Sequence, residues 1–179
     1  YNELTELDLS KNTELLGLHC QNNKLTKLNL GENTKLIDLY CQNYIGTGNH
    51  NQITELDLSK NTGLREIHCE YNGLTKLNIS GLTGLSRLYC TGNKLTELDV
   101  STNTALSTLE CGENKLTELD LSTNINLLNI KCYSNQLRTL DLSNYGTGVT
   151  YDNSGTVSFG GQNVLISRTD LEETEDSEY

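Results

Sequence analysis

Cys20, Cys41, Cys69, Cys90, Cys111 and Cys132 recur at spacings of 21, 28, 21, 21 and 21 residues. Thiols can pair as disulfides, hold a soft metal or act as nucleophiles, and each use has its own spacing signature. No Cys-x-x-Cys pair of the kind that ligates zinc is present. If the copies stack in register as parallel strands, equivalent cysteines sit about 4.8 Å apart with parallel Cβ vectors. A disulfide wants its Cβ atoms about 3.8 Å apart. A ladder of reduced thiols used as small apolar residues is therefore expected. Metal ligation by that ladder is rejected, because it would place thiolates in the core.

The other chemistry-bearing residues also fall into columns. Asp8, Asn29, Asp57, Asn78, Asp99, Asp120 and Asp141 share one repeat position. Adjacent Asp99, Asp120 and Asp141 could chelate calcium through oxygen ligands, or the column could hydrogen-bond neighbouring turn groups. Ser59, Ser80, Ser101 and Ser122 form another column, with no histidine placed to activate a hydroxyl. His19 and His68 stand two rungs apart, about 9.6 Å, too far to share one zinc. No phosphate-cradling glycine motif appears. No catalytic residue, metal site or cofactor is expected.

What positions these columns is a repeat of two half-turns. One contains Leu4, Leu7, Asp8, Leu9, Ser10 and Asn12, with counterparts starting at Leu25, Ile53, Leu74, Leu95, Leu116 and Leu137. The other contains Leu15, Leu18, Cys20 and Asn23, with counterparts from Leu36, Leu64, Leu85, Leu106 and Leu127. There are thus seven Leu-Asp-Leu half-turns and six Leu-x-Cys half-turns. Alternation of apolar and polar residues is a strand signal, and no helical spacing persists. The reading is a mainly β repeat solenoid in which each period forms one right-handed coil with a short parallel strand on each face. Stacked coils share one core that no coil could bury alone. Asn23, Asn51, Asn72, Asn93, Asn114 and Asn135 close the cysteine half-turns, and Asn12, Asn33, Asn61, Asn103 and Asn124 close the others. Inward amides there would satisfy backbone groups stripped of partners by the bends. Leu82 and Tyr145 replace asparagine in this pattern.

The motif Leu-x-x-Leu-x-Cys-x-x-Asn-x-Leu-x-x-Leu-Asp-Leu over residues 1–145 resembles the 21-residue, IRREKO-type class of bacterial leucine-rich repeats. The resemblance implies a leucine-rich repeat solenoid from a surface-exposed or secreted bacterial protein that binds other macromolecules. It transfers no catalytic residue. The strict period breaks at the 43–50 insertion and again after residue 143.

On the cysteine side, His19, Tyr40, His68 and Tyr89 would form an outward ring stripe, continued by Glu110 and Lys131. Glu66 and Arg87 flank it on one side, Glu70 and Tyr133 on the other, and Tyr44 lies in the insertion loop. Aromatic and arginine side chains carry energy at interfaces, though exposed strands also favour tyrosine. The expected function is a non-enzymatic binding module, engaging a protein or glycan through this sheet, on a bacterial cell surface or outside the cell. The alternative is a structural spacer or stalk; a calcium-binding or enzymatic module comes third.

The net charge is −11, from 24 acidic and 13 basic residues. Six acids lie in the last ten residues, which leaves 18 acids against 13 bases elsewhere. Such a surface repels phosphate backbones and anionic lipid, so nucleic acid and membrane insertion are not expected partners. A monomer is expected. Residues 146–168 should form a C-terminal β cap, with a hairpin turn at Asp152–Gly155, and 169–179 an acidic tail or linker. Methionine is absent, so the sequence is expected to be a processed or excised segment.

Overall fold

The computed structural model describes residues 2–46, 50–138, 140–142 and, for the backbone alone, 150–152. Wherever the apolar–polar alternation recurs on the cysteine side, it produces a three-residue strand with its central residue inward. The strands are β1 (Gly17–His19), β2 (Asp38–Tyr40), β3 (Glu55–Asp57), β4 (Glu66–His68), β5 (Lys76–Asn78), β6 (Arg87–Tyr89), β7 (Thr108–Glu110), β8 (Asn129–Lys131) and β9 (Thr150–Asp152). Seven of them form one parallel sheet in the order β1-β2-β4-β6-β7-β8-β9. The molecule is a parallel β-solenoid, and no helix occurs among the described residues.

Pairing is in strict register: Leu18 lies beside Leu39, Leu39 beside Ile67, and Ile67 beside Leu88. The β2–β4 pairing spans the 28-residue spacing without a slip in register. β9 lies 21 residues after β8, within the segment read as a cap, and pairs parallel to it as a further rung. Apart from Asp152, which ends β9, the expected hairpin turn at Asp152–Gly155 falls outside the described residues, as do Tyr145 and the acidic tail.

The second face is less regular than the first. Among the described residues, only β3 and β5 pair there, also parallel. Alternation nevertheless continues without the ladder: Leu28, Leu30, Leu98, Val100, Leu119 and Leu121 are all buried. Side-chain burial, rather than strand pairing, holds that face against the core. Ionic contacts follow the stacking too, since Lys76–Glu55, Arg87–Glu66 and Lys131–Glu110 each join neighbouring rungs.

The asparagines do what the bends require. Asn93 donates from Nδ2 to the carbonyls of Cys69 (3.1 Å) and Cys90 (2.9 Å), while its Oδ1 accepts from Leu74 N–H (3.0 Å). Asn72, Asn114 and Asn135 repeat the pattern one rung apart. Each amide therefore ties its own turn to the turn before. The second column is sparser. Asn33, Asn61, Asn103 and Asn124 donate to two carbonyls each. Their Oδ1 atoms are buried without a hydrogen-bond partner. Asn12, at the first copy, is exposed.

One residue before the inner asparagine, the chain enters the left-handed region. Asn22, Tyr71, Glu113 and Ser134 have φ near +50°, and Gly92 has φ +71°. A Cβ on Gly92 would come within 2.3 Å of the Tyr71 ring from the preceding rung. Glycine at that copy thus serves both the turn and the ring lying against it.

Candidate functional site

The in-register sheet turns one outward column into a continuous stack of rings. His19 and Tyr40 lie 4.4 Å apart by centroid at 17°, Tyr40 and His68 4.5 Å at 13°, and His68 and Tyr89 4.2 Å at 16°. These spacings follow the distance between neighbouring parallel strands. His19 is exposed, and the other three rings are partly buried. Inner ring faces are covered by their neighbours, so the stack presents ring edges, hydroxyls and N–H groups to solvent.

A line of charges runs beside the stack. Glu66 Oε2 pairs with Arg87 on the next strand, and Glu66 Oε1 lies 2.9 Å from His68 Nε2. Glu70 Oε1 is 3.3 Å from His68 Nδ1. The Arg87 hydrogen bond is the main reason the Glu66 carboxyl falls to about 2, against the opposing effect of burial; the His68 bond and the two positive charges add to it. A carboxyl lowered from 4.5 on folding stabilises the fold fully above 4.5. That contribution disappears as pH falls towards about 2. Urea unfolding at stepped pH should show a smaller loss of midpoint across this window in Glu66→Gln than in the wild type. An equal loss in both would mean that Glu66 does not carry the effect.

The residues following the cysteines depart from the outward placement expected of them. Gln42 and Thr91 are each 5% exposed, and the Glu70 side chain is 19% exposed. The chain bends directly after each cysteine, so these side chains lie between stacked turns instead of standing off a flat sheet. Glu70 consequently faces His68 more than solvent. Tyr133 packs against Gly112 of the preceding rung. Tyr44 lies in the insertion loop, with its N–H bonded to Asn22 Oδ1 and its hydroxyl accepting from Gln42. Beside it Ile45 is 77% exposed.

Asn43 was legible only as part of the insertion. Its side chain joins the two ends of that loop, donating to the carbonyl of Asn51 (2.8 Å) and accepting from Asn51 N–H (2.7 Å). It also donates to the Tyr71 carbonyl at 2.6 Å. The available signal was position, because Asn43 stands two residues after Cys41, where Asn22 follows Cys20.

All six cysteines are free and buried. Sheet hydrogen bonding continues through them, from Cys20 N–H to the Tyr40 carbonyl and from Cys41 N–H to that of His68. Burial raises the Cys20 thiol to about 11 and pushes Cys41, Cys69, Cys90 and Cys111 upward as well. They stay protonated and act as apolar filling. On the opposite face, the Oδ1 atoms of Asp8, Asp57, Asp99 and Asp120 each accept the serine N–H two residues on, at 2.9–3.0 Å. The column closes turns. A shallow groove of about 680 Å³ opens on that face, lined among others by Leu77, Leu98, Asp99 and Asp120.

The same architecture recurs in solved structures. The functional domain of InlJ from Listeria monocytogenes, which includes a cysteine ladder, is 39% identical. Its match covers 80% of this chain and 38% of that one, with a TM-score of 0.58. The chain is a bacterial leucine-rich repeat protein. The internalin InlF of Listeria monocytogenes matches 87% of it and 48% of its own length, at 22% identity and a TM-score of 0.64. A Leptospira interrogans leucine-rich repeat protein matches 84% and 47%, at 24% identity and a TM-score of 0.56. These last two show the fold alone. This leucine-rich repeat protein spans less than half the length of each of the three. No family model matches it, and no curated protein does.

Proposed function

We propose that this leucine-rich repeat array is a non-enzymatic binding module, acting outside the cell or on its surface, and that its cysteine-side sheet contacts a protein. The ring stack from His19 to Tyr89 carries this reading. It supplies a rigid row of amphipathic edges at little further ordering cost, the property that favours tyrosine at interfaces. Arg87, Glu66 and Glu110 border the row, and Tyr44 and Ile45 stand in the loop after β2. The stacking also favours a protein over a glycan. A sugar packs against an open aromatic face, and the inner faces here are already covered. Glu70 and His68 hold the row in place, leaving His19, Tyr40, Tyr89 and Arg87 as the residues offered to a partner.

The supporting experiment passes a panel of purified extracellular proteins and a glycan array over immobilised wild type, a Tyr40→Ala/Tyr89→Ala variant and an Asp99→Ala/Asp120→Ala variant. A protein held by the wild type and the aspartate variant, but lost by at least tenfold from the tyrosine variant, is the expected result. Equal retention by all three would move the interface off this sheet. Retention of nothing by any of them would favour the spacer reading.

A further inference from the structure

His68 sits at the centre of the ring stack and meets charged or titratable groups from each element packed on it. Its own strand β4 contributes Glu66, and Glu70 follows just beyond the strand. β2 brings Asp38 and the ring of Tyr40, and β6 brings Arg87, paired with Glu66, and the ring of Tyr89. Both imidazole nitrogens therefore face a carboxylate oxygen. A neutral imidazole has one N–H and would aim its lone pair at one of those carboxylates, whereas the imidazolium donates to both. The cation also lies between two tyrosine faces, at 4.5 and 4.2 Å, where ring quadrupoles favour positive charge. Glu70 Oε2 is buried without a hydrogen-bond partner. The adjacent imidazolium offsets a carboxylate that would be costly to leave uncompensated.

We propose that His68 is a proton-operated latch: protonated, it locks the four rings into one stack, and on losing its proton it releases the stack. That the latch also governs partner binding rests on the function proposed above; the latch itself does not. Deprotonation turns one favourable contact into a lone pair facing a carboxylate. The ring then rotates or leaves, separating the His19–Tyr40 pair from Tyr89.

The direction of the pH effect follows from the surroundings. Burial opposes the charged imidazolium, but the hydrogen bonds and charges of Glu70 and Glu66 outweigh it, and the His68 pKa rises above its ordinary value. A group raised on folding stabilises the fold fully below about 6.5, its unfolded value, and ceases to do so as pH climbs through the folded value. The latch is closed in mildly acidic medium and opens as pH climbs through the raised folded value.

The test is an NMR titration of the wild-type protein without any partner, from about pH 5 to about pH 10, following the His68 side-chain nitrogens and the Tyr40 and Tyr89 ring protons. His68 should titrate above the ordinary histidine midpoint of about 6.5, and both tyrosine rings should move with that same midpoint. Glu70→Gln should lower the midpoint by about one unit, a tenfold loss of proton affinity. His68→Gln should remove the shared transition from the tyrosine rings. A midpoint at or below about 6.5, or tyrosine rings indifferent to it, overturns the latch, and the wild-type measurement decides this even if a variant fails to fold. Rings that open while partner capture stays constant with pH would instead overturn the assignment of the binding face.

Discussion

Leu88→Asp is expected to destroy cooperative folding of the middle of the array. Leu88 is 0% exposed and lies in β6 between Ile67 of β4 and Leu109 of β7. A carboxyl group there loses the leucine's burial, leaves poorly filled space and must either ionise in the core or stay protonated without a partner. The combined cost is roughly 4 kcal/mol or more. That is a large fraction of the roughly 5–15 kcal/mol that holds a typical domain together. Stacking amplifies the damage, because each rung contacts only its neighbours and a failed central rung divides one array into two short ones. Urea unfolding followed by circular dichroism should show a lost or strongly lowered transition. Thr117→Asp, at an exposed position, should shift it by no more than about 0.5 kcal/mol. A wild-type transition in Leu88→Asp would reverse the assignment of inward and outward faces.

The two asparagine columns are expected to respond very differently to substitution. Asn114 donates to the carbonyls of Cys90 (3.0 Å), Cys111 (3.1 Å) and Gly112 (3.0 Å), and accepts from Leu95 N–H (3.0 Å). Asn114→Ala removes these bonds and strands the Leu95 N–H, while the Cys90, Cys111 and Gly112 carbonyls keep Asn93, Asn135 and the Gly92 N–H as donors. With one buried donor stranded at about 1–3 kcal/mol and three donations lost besides, a loss of about 2 kcal/mol or more is expected. Asn103 makes two side-chain donations, and its Oδ1 is already unpaired. The chain itself places a fully buried leucine, Leu82, at the equivalent position one rung earlier. Asn103→Leu should therefore cost about 1 kcal/mol or less, as the apolar gain offsets the lost bonds. Denaturant midpoints of the two variants check the contrast. Equal losses would show that the two columns bear the stacking together.

Much of the solenoid is visible in the letters because a repeat states the same local instruction many times. Leu18, Leu39, Ile67 and Leu88 read as inward from alternation alone, and all are buried. The asparagines could be assigned to turn closure because a bend strands polar groups wherever it occurs. The same reasoning falters at Gln42, Glu70 and Thr91. Alternation treats a strand as straight, and these residues follow the cysteine where the chain turns out of the sheet. It also overstates the second face, where among the described residues β3 and β5 alone pair although the apolar pattern continues.

The amino-acid order by itself determined the period, the inward residues and the columns into which outward residues fall, since those depend on spacing along one chain. Tertiary structure decided what the columns do. Four rings at one repeat position became a stack because parallel pairing kept β1, β2, β4 and β6 in register across a 28-residue gap. Glu66 and Glu70 flank His68 on one strand, but their combined effect depends on Arg87, Tyr40 and Tyr89 arriving from the neighbouring strands. Hydrogen bonding and electrostatics between rungs act over a few ångströms, and residues 20 or more apart in the chain reach that range only when the coils stack.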